Sequence, residues 1–344
     1  MGDRGAPGQP VSRHGQGAEV ESFAAFMARA LHDPATGYYA RRIHTVGQRG
    51  DFSTAATLSP ALGESVAAWI QMQTRFMPDV RHVIEVGAGD GSLMASVRKV
   101  SGWWRRRSLR WHVVETSPVL ARAQRRRLGS GVKWHSRLED ALSAARGRAF
   151  IYHNELLDAF PVHLIEWQDG EWSEIHLDQG AETPCPLDWP EQERSQFSAL
   201  REWQNPPPGQ RCELHRPVRD WFRFWAPAWQ AGAMLAIDYG DLFPALYHRR
   251  PRGTLRAYLL HQRLEGVEVY ANPGRQDITA DINFTDLRSW TTSLGWQEHE
   301  YMTLADFFRA HLKPASLAAL PPSFLHPDGA GGAFKCLSAA KVAA

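Results

Sequence analysis

The sequence predicts an α/β fold with a Rossmann-like, doubly wound sheet that is mostly parallel. The β-branched run His82–Val86 ends abruptly in glycines and is followed by apolar residues at helical spacing. This strand–turn–helix unit recurs along the chain, and strands that alternate with helices in this way indicate a parallel sheet. A further buried strand at 233–237 precedes two segments, 296–301 and 334–341, that we expect to close the sheet as an antiparallel pair.

The later units carry helix start signals or apolar spacing of their own. Ser117 is a candidate helix N-cap, and Pro118 stands at the first helical position that follows it. The predicted strands and helices are, in order, 111–114 and 118–128, 132–135 and 138–145, and a fourth strand at 149–152.

Two helical segments precede the first strand, and we expect them to form an N-terminal helical cap. Phe23, Phe26 and Leu31 recur at helical spacing, and a turn signal at 33–37 ends that helix. A second helix is predicted over 60–77. The first residues are rich in glycine, with Arg4 and Arg13 as in a weak organelle presequence, but prolines argue against an amphipathic helix and favour a disordered tail.

The alternation of strand and helix patterns changes between residues 162 and 212, which indicates an insertion. Residues 162–177 alternate around a turn and predict a β-hairpin, whereas 181–209 are rich in proline and predict loops. A helix is predicted over 217–230. The predicted divisions are a disordered tail at 1–20, the cap with a cofactor-covering loop at 21–80, and the Rossmann-like domain at 81–344 with its insertion and a lid-like segment at about 241–285.

Composition excludes several classes of function. The 344 residues are 43% hydrophobic and 22% charged, as in a globular protein, and the net charge of +2 does not indicate a nucleic-acid partner. No apolar run reaches the roughly 18 residues of a membrane helix, so we expect no membrane insertion. Three scattered cysteines predict neither a disulfide framework nor a metal site and fit a reducing cytoplasm. We interpret the arginine runs 105–107 and 125–127 as solvent-exposed surface rather than as a binding patch.

The glycine-rich turn after the first strand is the strongest candidate ligand site. Glycines let the backbone approach a ligand closely, and the helix that follows offers free N–H groups, although an ordinary strand–helix turn has the same appearance. Ser92 stands where a dinucleotide fingerprint needs glycine or alanine, so Gly87–Gly91 is a GxGxG turn of the kind typical of methyltransferases. Glu115 ends the second strand, where its carboxylate can accept hydrogen bonds from two ribose hydroxyls.

A second polar group follows the fourth strand. Asn154, Glu155 and Asp158 come directly after an apolar run, at the edge where ligands of such sheets bind. One interpretation is that these three residues form a structural cluster and satisfy one another's hydrogen bonds. The functional reading is that they orient the nucleophile of a group transfer, and a carboxylate can hold an amine or a guanidinium.

The ordered set of motifs resembles the MidA-type (DUF185) class I S-adenosylmethionine-dependent methyltransferases, whose mitochondrial members assist respiratory complex I assembly. The resemblance covers nearly the whole chain from about Glu21 onward. The matching segments are 33–39, 50–54, 63–64, 87–91 with Glu115, 154–163, 238–240, 253–256 with His261, 273–274 and 277–280.

The resemblance implies S-adenosyl-L-methionine as cofactor and a protein substrate, with arginine the favoured acceptor and Glu155, Asn154 and Asp158 as catalytic candidates. It also implies that residues 256–279 form a lid or a substrate wall. A surface loop held by its own hydrogen bonds is an equally good interpretation of this segment. The predicted cofactor-binding residues are Gly50, Asp51, Phe52 and Thr54, closing over the methionine end; Glu85, Gly87, Gly89 and Gly91; Glu115 at the ribose; Leu138 and Glu139 near adenine; and Asn154.

Departures from the family pattern leave other functions open. Residues 55–57 are Ala-Ala-Thr where Ser-Pro-Glu is usual, which motivates a second hypothesis, a cofactor-binding assembly protein without turnover. Ala88 and Asp90 replace a common proline and arginine, and leucines at 156–157 replace phenylalanines in the acceptor region. Tryptophans at 167, 172, 189 and 203 either line a small-molecule acceptor pocket or fill a core. The cluster at 221–225 is either core or a homo-oligomer interface.

Overall fold

The central sheet has the predicted architecture. The computed structural model describes residues 20–41, 60–260 and 262–342, so the tail at 1–19 lies outside the described residues. The sheet order is β15-β16-β10-β5-β2-β3-β4, with β14 beside β10. Its strands are β2 His82–Val86, β3 Arg110–Val114, β4 Val132–His135, β5 Ala149–Asn154, β10 Gly232–Asp241, β14 Ile282–Asn283, β15 Gln297–Thr303 and β16 Phe334–Lys341.

The direction of the strands confirms the predicted fold class. β4, β3, β2, β5 and β10 run parallel, whereas β16 pairs antiparallel with both β10 and β15. Both faces of this sheet are covered by helices, which explains why its strands are apolar along nearly their whole length.

Helices cover the two faces as separate layers. One face packs against the apolar sides of α3, α4 and α12, and the other packs against α7, α10 and α11. The helices in chain order are α1 Phe23–His32, α2 Tyr38–Arg41, α3 Pro60–Phe76, α4 Ser92–Val100, α5 Gly102–Ser108, α6 Pro118–Leu128, α7 Leu138–Ala144, α8 Glu191–Arg194, α9 Ser198–Glu202, α10 Arg216–Trp225, α11 Phe284–Ser293, α12 Leu304–His311, α13 Pro314–Ala318 and α14 Ala330–Ala333. None of the helices in the described ranges is long and apolar enough to span a membrane.

A second sheet carries the predicted hairpin. Its order is β1-β7-β6-β9, with β8 beside β7. The hairpin of β6 and β7 is confirmed, and Trp167 faces Trp172 across it. The strands are β1 Glu21–Ser22, β6 His163–Gln168, β7 Glu171–Asp178, β8 Ala181–Pro186 and β9 Arg211–Leu214.

Two expectations about the insertion and the helix after it are wrong. The stretch 181–209 contains the strand β8 and two short helices rather than loops alone, because an edge strand tolerates the prolines at 184 and 186. The helix predicted over 217–230 ends at Trp225, and a short 3₁₀ turn that contains Pro227 follows it. A proline beyond the last helical residue favours such an ending.

The N-terminal helix packs on the hairpin sheet rather than on the central sheet. Ser22 caps α1 by accepting a hydrogen bond from the N–H of Ala25 at 3.2 Å. Phe23, Met27 and Leu31 form a core with β6, β7 and a third sheet. That third sheet has the order β12-β11-β13 and consists of β11 Arg256–Leu259, β12 Gln262–Leu264 and β13 Asp277–Thr279.

Candidate functional site

A cavity of about 1290 Å³ lies beyond the carboxyl ends of β2, β3, β4 and β5. This is the edge at which doubly wound sheets bind ligands. Most of the predicted site residues meet there: Glu85, Gly87, Gly89, Glu115, Leu138, Glu139, Asn154, Glu155 and Asp158 all line the cavity.

A few predicted residues do not line this cavity. Gly91 lies behind the wall, where it is the N-cap of α4. The predicted methionine-covering residues Gly50, Asp51, Phe52 and Thr54, and His261 of the family pattern, lie outside the described residues. Of the four tryptophans considered for an acceptor pocket, Trp172 is in the core and the other three pack against it, and none lines the cavity.

The glycine turn has the backbone geometry that requires glycine. Gly87, Gly89 and Gly91 have φ values of 69°, 52° and 82°, in the left-handed region that side chains disfavour. A Cβ on Gly87 would lie 2.7 Å from Cδ1 of Leu156, so the turn also packs closely on the segment that follows β5. The turn therefore presents backbone rather than side chains to the cavity.

Glu85 lies beneath the glycine turn as a buried acid. Its Oε2 accepts a hydrogen bond from the hydroxyl of Tyr152 at 3.1 Å. Burial raises the pKa of Glu85 to about 8, although the Tyr152 hydrogen bond acts in the opposite direction. Burial thus favours the neutral carboxyl, and a cationic ligand group beside it would favour the ionised form.

Glu115 is held in place on both of its oxygens. Oε1 accepts the N–H of Ser117 at 2.8 Å, and Oε2 accepts the side-chain amide of Gln124 at 2.9 Å. Burial raises the pKa of Glu115, against these hydrogen bonds. Each carboxylate oxygen has a second acceptor direction, so the group can also receive two hydroxyls.

Gln124 is a positioning residue that the sequence analysis missed. Its amide nitrogen also donates to the carbonyl of Gly89 at 2.8 Å, and its oxygen accepts the indole N–H of Trp134 at 3.1 Å. Gln124 thereby ties the glycine turn to Glu115. The available signal was a polar residue on the buried face of α6, between Leu120 and Leu128.

The loop between β4 and α7 forms the far end of the cavity. Leu138 is buried, and Glu139 forms an ion pair with Arg137 at 2.7 Å. The guanidinium of Arg137 lies 5.3 Å from the ring centre of Phe224 on α10, and both of these residues line the cavity. This end therefore offers a flat, partly apolar slot beside Glu139.

Asn154 is the last residue of β5, and Glu155 begins a strained turn directly after it. Glu155 has φ 51°, which is unusual for a residue other than glycine, and its N–H donates to the carbonyl of Ile237 at 2.9 Å. The amide nitrogen of Asn154 donates to Oε1 of Glu155 at 3.0 Å. Oδ1 of Asn154 is buried and has no hydrogen-bond partner among the residues that the structure describes.

Buried carboxyls surround that turn. Asp158 accepts the hydroxyl of Thr279 at 2.8 Å. Asp238 lies behind the turn and accepts the N–H groups of Leu156 and Leu157 at 3.2 and 2.8 Å. Burial raises the pKa of both acids, and proximity to Asp158 raises that of Asp238 further.

The third sheet forms the wall opposite Glu155. Its strands alternate, so that Arg256, Tyr258, Asp277 and Thr279 line the cavity while the residues between them enter a core. The segment predicted as a lid, wall or surface loop is thus a small sheet with one face on the cavity. Across 20–41, 60–260 and 262–342, no cluster of His, Cys, Asp and Glu has the arrangement of a metal site.

Known proteins give an independent comparison. A family model described as "Putative S-adenosyl-L-methionine-dependent methyltransferase" matches residues 63–302. A mitochondrial protein arginine methyltransferase NDUFAF7 homologue of Drosophila melanogaster is 29% identical over 307 residues, which cover 77% of this chain and 65% of that protein. NDUFAF7 of Danio rerio is 26% identical, over 78% of this chain and 67% of that protein. The chain thus spans about two thirds of the length of these curated relatives.

A solved structure resembles the chain over nearly its whole length. It is a COG1565 superfamily member from Burkholderia thailandensis bound to S-adenosyl-homocysteine. The two chains are 25% identical with a TM-score of 0.78, and the match covers 94% of this chain and 88% of the other. S-adenosyl-homocysteine is the product that a methyl donor leaves after transfer.

Proposed function

The chain belongs to this family of S-adenosyl-L-methionine-dependent methyltransferases, and on that premise we propose that it methylates a protein side chain, with the guanidinium of arginine as the favoured acceptor. Membership confirms the resemblance drawn from the motifs, and S-adenosyl-L-methionine is the cofactor. The protein substrate and the arginine acceptor are suggested by the names of the curated relatives.

The observation that carries the proposal is the charge of the cavity beside the glycine turn. Glu155, Asp158 and Asp277 line that part of the cavity. Arg256 lines the same cavity, but it is already paired with Asp281. Burying ionised acids is costly, and a bound cation offsets that cost, so the site favours a positively charged acceptor.

The cofactor lies along the strand ends in this proposal. Gly87 and Gly89 present backbone to its methionine portion, Glu115 accepts both ribose hydroxyls, and Leu138 with Glu139 contacts the adenine. Oδ1 of Asn154 supplies an acceptor for an N–H group of the cofactor or the substrate. Glu85, beneath the turn, balances positive charge on the methionine portion.

Methyl transfer is an in-line displacement at the sulfonium methyl carbon. A bond forms between a guanidinium nitrogen and that carbon while the carbon–sulfur bond breaks, and the sulfur retains the electron pair. The methylated nitrogen then releases one proton, for which Glu155 is the proposed acceptor. Positioning supplies most of the rate, so Glu155 and Asp158 act chiefly by aligning the nitrogen with the methyl group.

The wider assignments are parts of the same proposal. The segment 241–285 acts as a substrate wall, and the protein works in the cytoplasm. The apolar surfaces of Trp221 and Phe224 at the cavity provide one specific reason to consider a small-molecule acceptor instead.

A labelling experiment distinguishes these functions. A lysate of the source organism is separated into protein and low-molecular-mass fractions, and each is incubated with the enzyme and methyl-labelled cofactor. We expect label in the protein fraction and methylarginine after hydrolysis. Label confined to the small molecules would refute the protein acceptor, and binding of the cofactor without label in either fraction would indicate an assembly protein without turnover.

A further inference from the structure

The wall formed by the third sheet presents four polar side chains to the cavity. Tyr258 lies directly opposite Asp277, and Arg256 lies opposite Thr279, in the antiparallel pair of β11 and β13. All four side chains face the cavity, because residues of one strand that are two apart share a face. The alternate residues, Ala257 and Ile278, are fully buried on the other face.

Asp277 is the acid in this wall that lacks a cationic partner. Its Oδ1 accepts the hydroxyl of Tyr39 at 2.8 Å. Within 20–41, 60–260 and 262–342, no Lys, Arg or His side chain forms an ion pair with it. The backbone N–H of Ile278 is its other hydrogen-bond donor. A buried acid whose donors are a hydroxyl and a backbone N–H is a poor structural choice, because asparagine could accept the same hydrogen bonds without the cost of burying a charge.

The positive charge of Arg256 lowers the pKa of Asp277, but its guanidinium forms its ion pair with Asp281 instead. It pairs with Asp281 and donates to the hydroxyl of Tyr258 at 3.1 Å and to the carbonyl of Thr254 at 3.2 Å. Its centre also lies 5.2 Å from the ring centre of Tyr239. Arg256 is therefore part of the wall rather than a mobile counter-charge.

Tyr39 is itself fixed by the N-terminal helices. Its ring stacks on that of His32 with centroids 5.4 Å apart, and Nε2 of His32 donates to the carbonyl of Ala159 at 3.0 Å. The same contacts therefore anchor the end of α1 at the cavity and orient the carboxyl of Asp277.

We propose that Asp277, oriented by Tyr39, is the carboxylate that selects a cationic acceptor, and that it releases a proton to solvent when the acceptor binds. This inference rests on the proposed function and assigns it a specificity-determining residue. The titratable and charged groups that line the cavity around Asp277 are His32, Tyr39, Glu155, Asp158, Tyr239, Arg256 and Tyr258, and Asp281 is paired with Arg256.

Burial sets the charge state of the free enzyme. It raises the pKa of Asp277 to about 7; the Tyr39 hydrogen bond and the charge of Arg256 oppose this shift, and nearby Asp158 adds to it. Part of the free enzyme therefore carries a proton on Asp277 at neutral pH. A guanidinium in contact favours the ionised form, so its binding releases protons from that fraction.

The test is calorimetric binding of N-acetyl-arginine methylamide to enzyme saturated with S-adenosyl-homocysteine. Titrations at pH 7 in buffers of different ionisation enthalpy count the protons released. The citrulline analogue has a similar shape without the charge. We expect the wild type to bind the arginine probe with a net release of protons, and to bind the citrulline probe at least tenfold more weakly.

Two variants isolate the carboxyl. Asp277→Asn should weaken the arginine probe at least tenfold, release no proton and keep the affinity for S-adenosyl-homocysteine. Tyr39→Phe should raise the released proton count towards one, because the carboxylate loses a donor that favours ionisation. Asp169→Asn, in the exposed hairpin turn, makes the same chemical change away from the cavity and should behave as the wild type.

Each outcome decides something specific. Arginine binding that Asp277→Asn leaves unchanged would overturn the role of Asp277 and leave the proposed function standing. If the wild type binds S-adenosyl-homocysteine but not the arginine probe, the arginine acceptor fails and the role of Asp277 fails with it. A drop in melting temperature shared by Asp277→Asn and Tyr39→Phe, with an unchanged proton count, would show a structural role and overturn the proposal.

Discussion

Replacing Glu115 with alanine should remove most of the affinity for the cofactor. The carboxylate is fixed by Ser117 and Gln124 and faces the cavity, so it meets the ribose without further ordering. A hydrogen bond to a charged group contributes about 1.5–3 kcal/mol, so losing two ribose hydroxyls costs about 3–6 kcal/mol. That corresponds to a roughly 10²- to 10⁴-fold rise in Kd.

Isothermal titration with S-adenosyl-homocysteine measures this directly. Glu115→Gln keeps one acceptor oxygen and should lose less affinity than Glu115→Ala, while Glu171→Gln on the exposed hairpin is the matched control. Melting temperatures show whether each variant folds. A folded Glu115→Ala variant with unchanged Kd would refute the assignment of Glu115 to the ribose.

Three further predictions concern the turn, the acceptor end and the sheet. Gly87→Ala should lower the free energy of unfolding, measured by urea denaturation, by about 1–3 kcal/mol, because Gly87 has a positive φ and its added Cβ would meet Leu156. The control Gly180→Ala should lower it less, because the added Cβ at this exposed position meets nothing within 4 Å. Glu155→Gln should reduce kcat roughly 10²-fold without changing the Kd of the cofactor, and full turnover would remove it from catalysis. Burial lowers the pKa of His112 to about 3, so His112 is protonated at a higher pH in the unfolded chain than in the folded protein. The free energy of unfolding should therefore fall as the pH drops below about 6.5. His112→Asn should reduce this dependence on pH, and an equal dependence in both proteins would contradict this account.

The histidine prediction depends on a ladder that crosses three strands. His112 is hydrogen-bonded to His82 at 2.9 Å and to His135 at 3.0 Å, and neighbouring rings are stacked. Burial also lowers the pKa of His82 and of His135. All three rings are therefore neutral in the folded protein at pH 7, and protonation at low pH favours the unfolded chain.

The central sheet and the cofactor half of the cavity could be predicted from local patterns. β-branched runs, glycines and helix caps lie within a few residues of one another, so the units from His82 to Asn154 are visible without tertiary information. The GxGxG turn and Glu115 follow from the position of strand ends, which is a property of the fold class.

The acceptor half could not be predicted in the same way. β11 and β13 are four and three residues long, too short for their alternation to be distinguished from a loop. The hydrogen bond from Tyr39 to Asp277 joins residues 238 positions apart, so no local pattern contains it. Gln124 was missed because a glutamine inside a helix resembles a surface residue until the buried face of that helix is known.

The crystal structure of the enzyme with S-adenosyl-homocysteine and N-acetyl-arginine methylamide tests the central claim most directly. We predict both ribose hydroxyls at the Glu115 carboxylate, the adenine beside Leu138 and Glu139, and the sulfur directed towards a guanidinium that contacts Glu155 and Asp277. A cofactor bound in the reverse orientation, or a guanidinium bound away from these two carboxyls, would contradict the account.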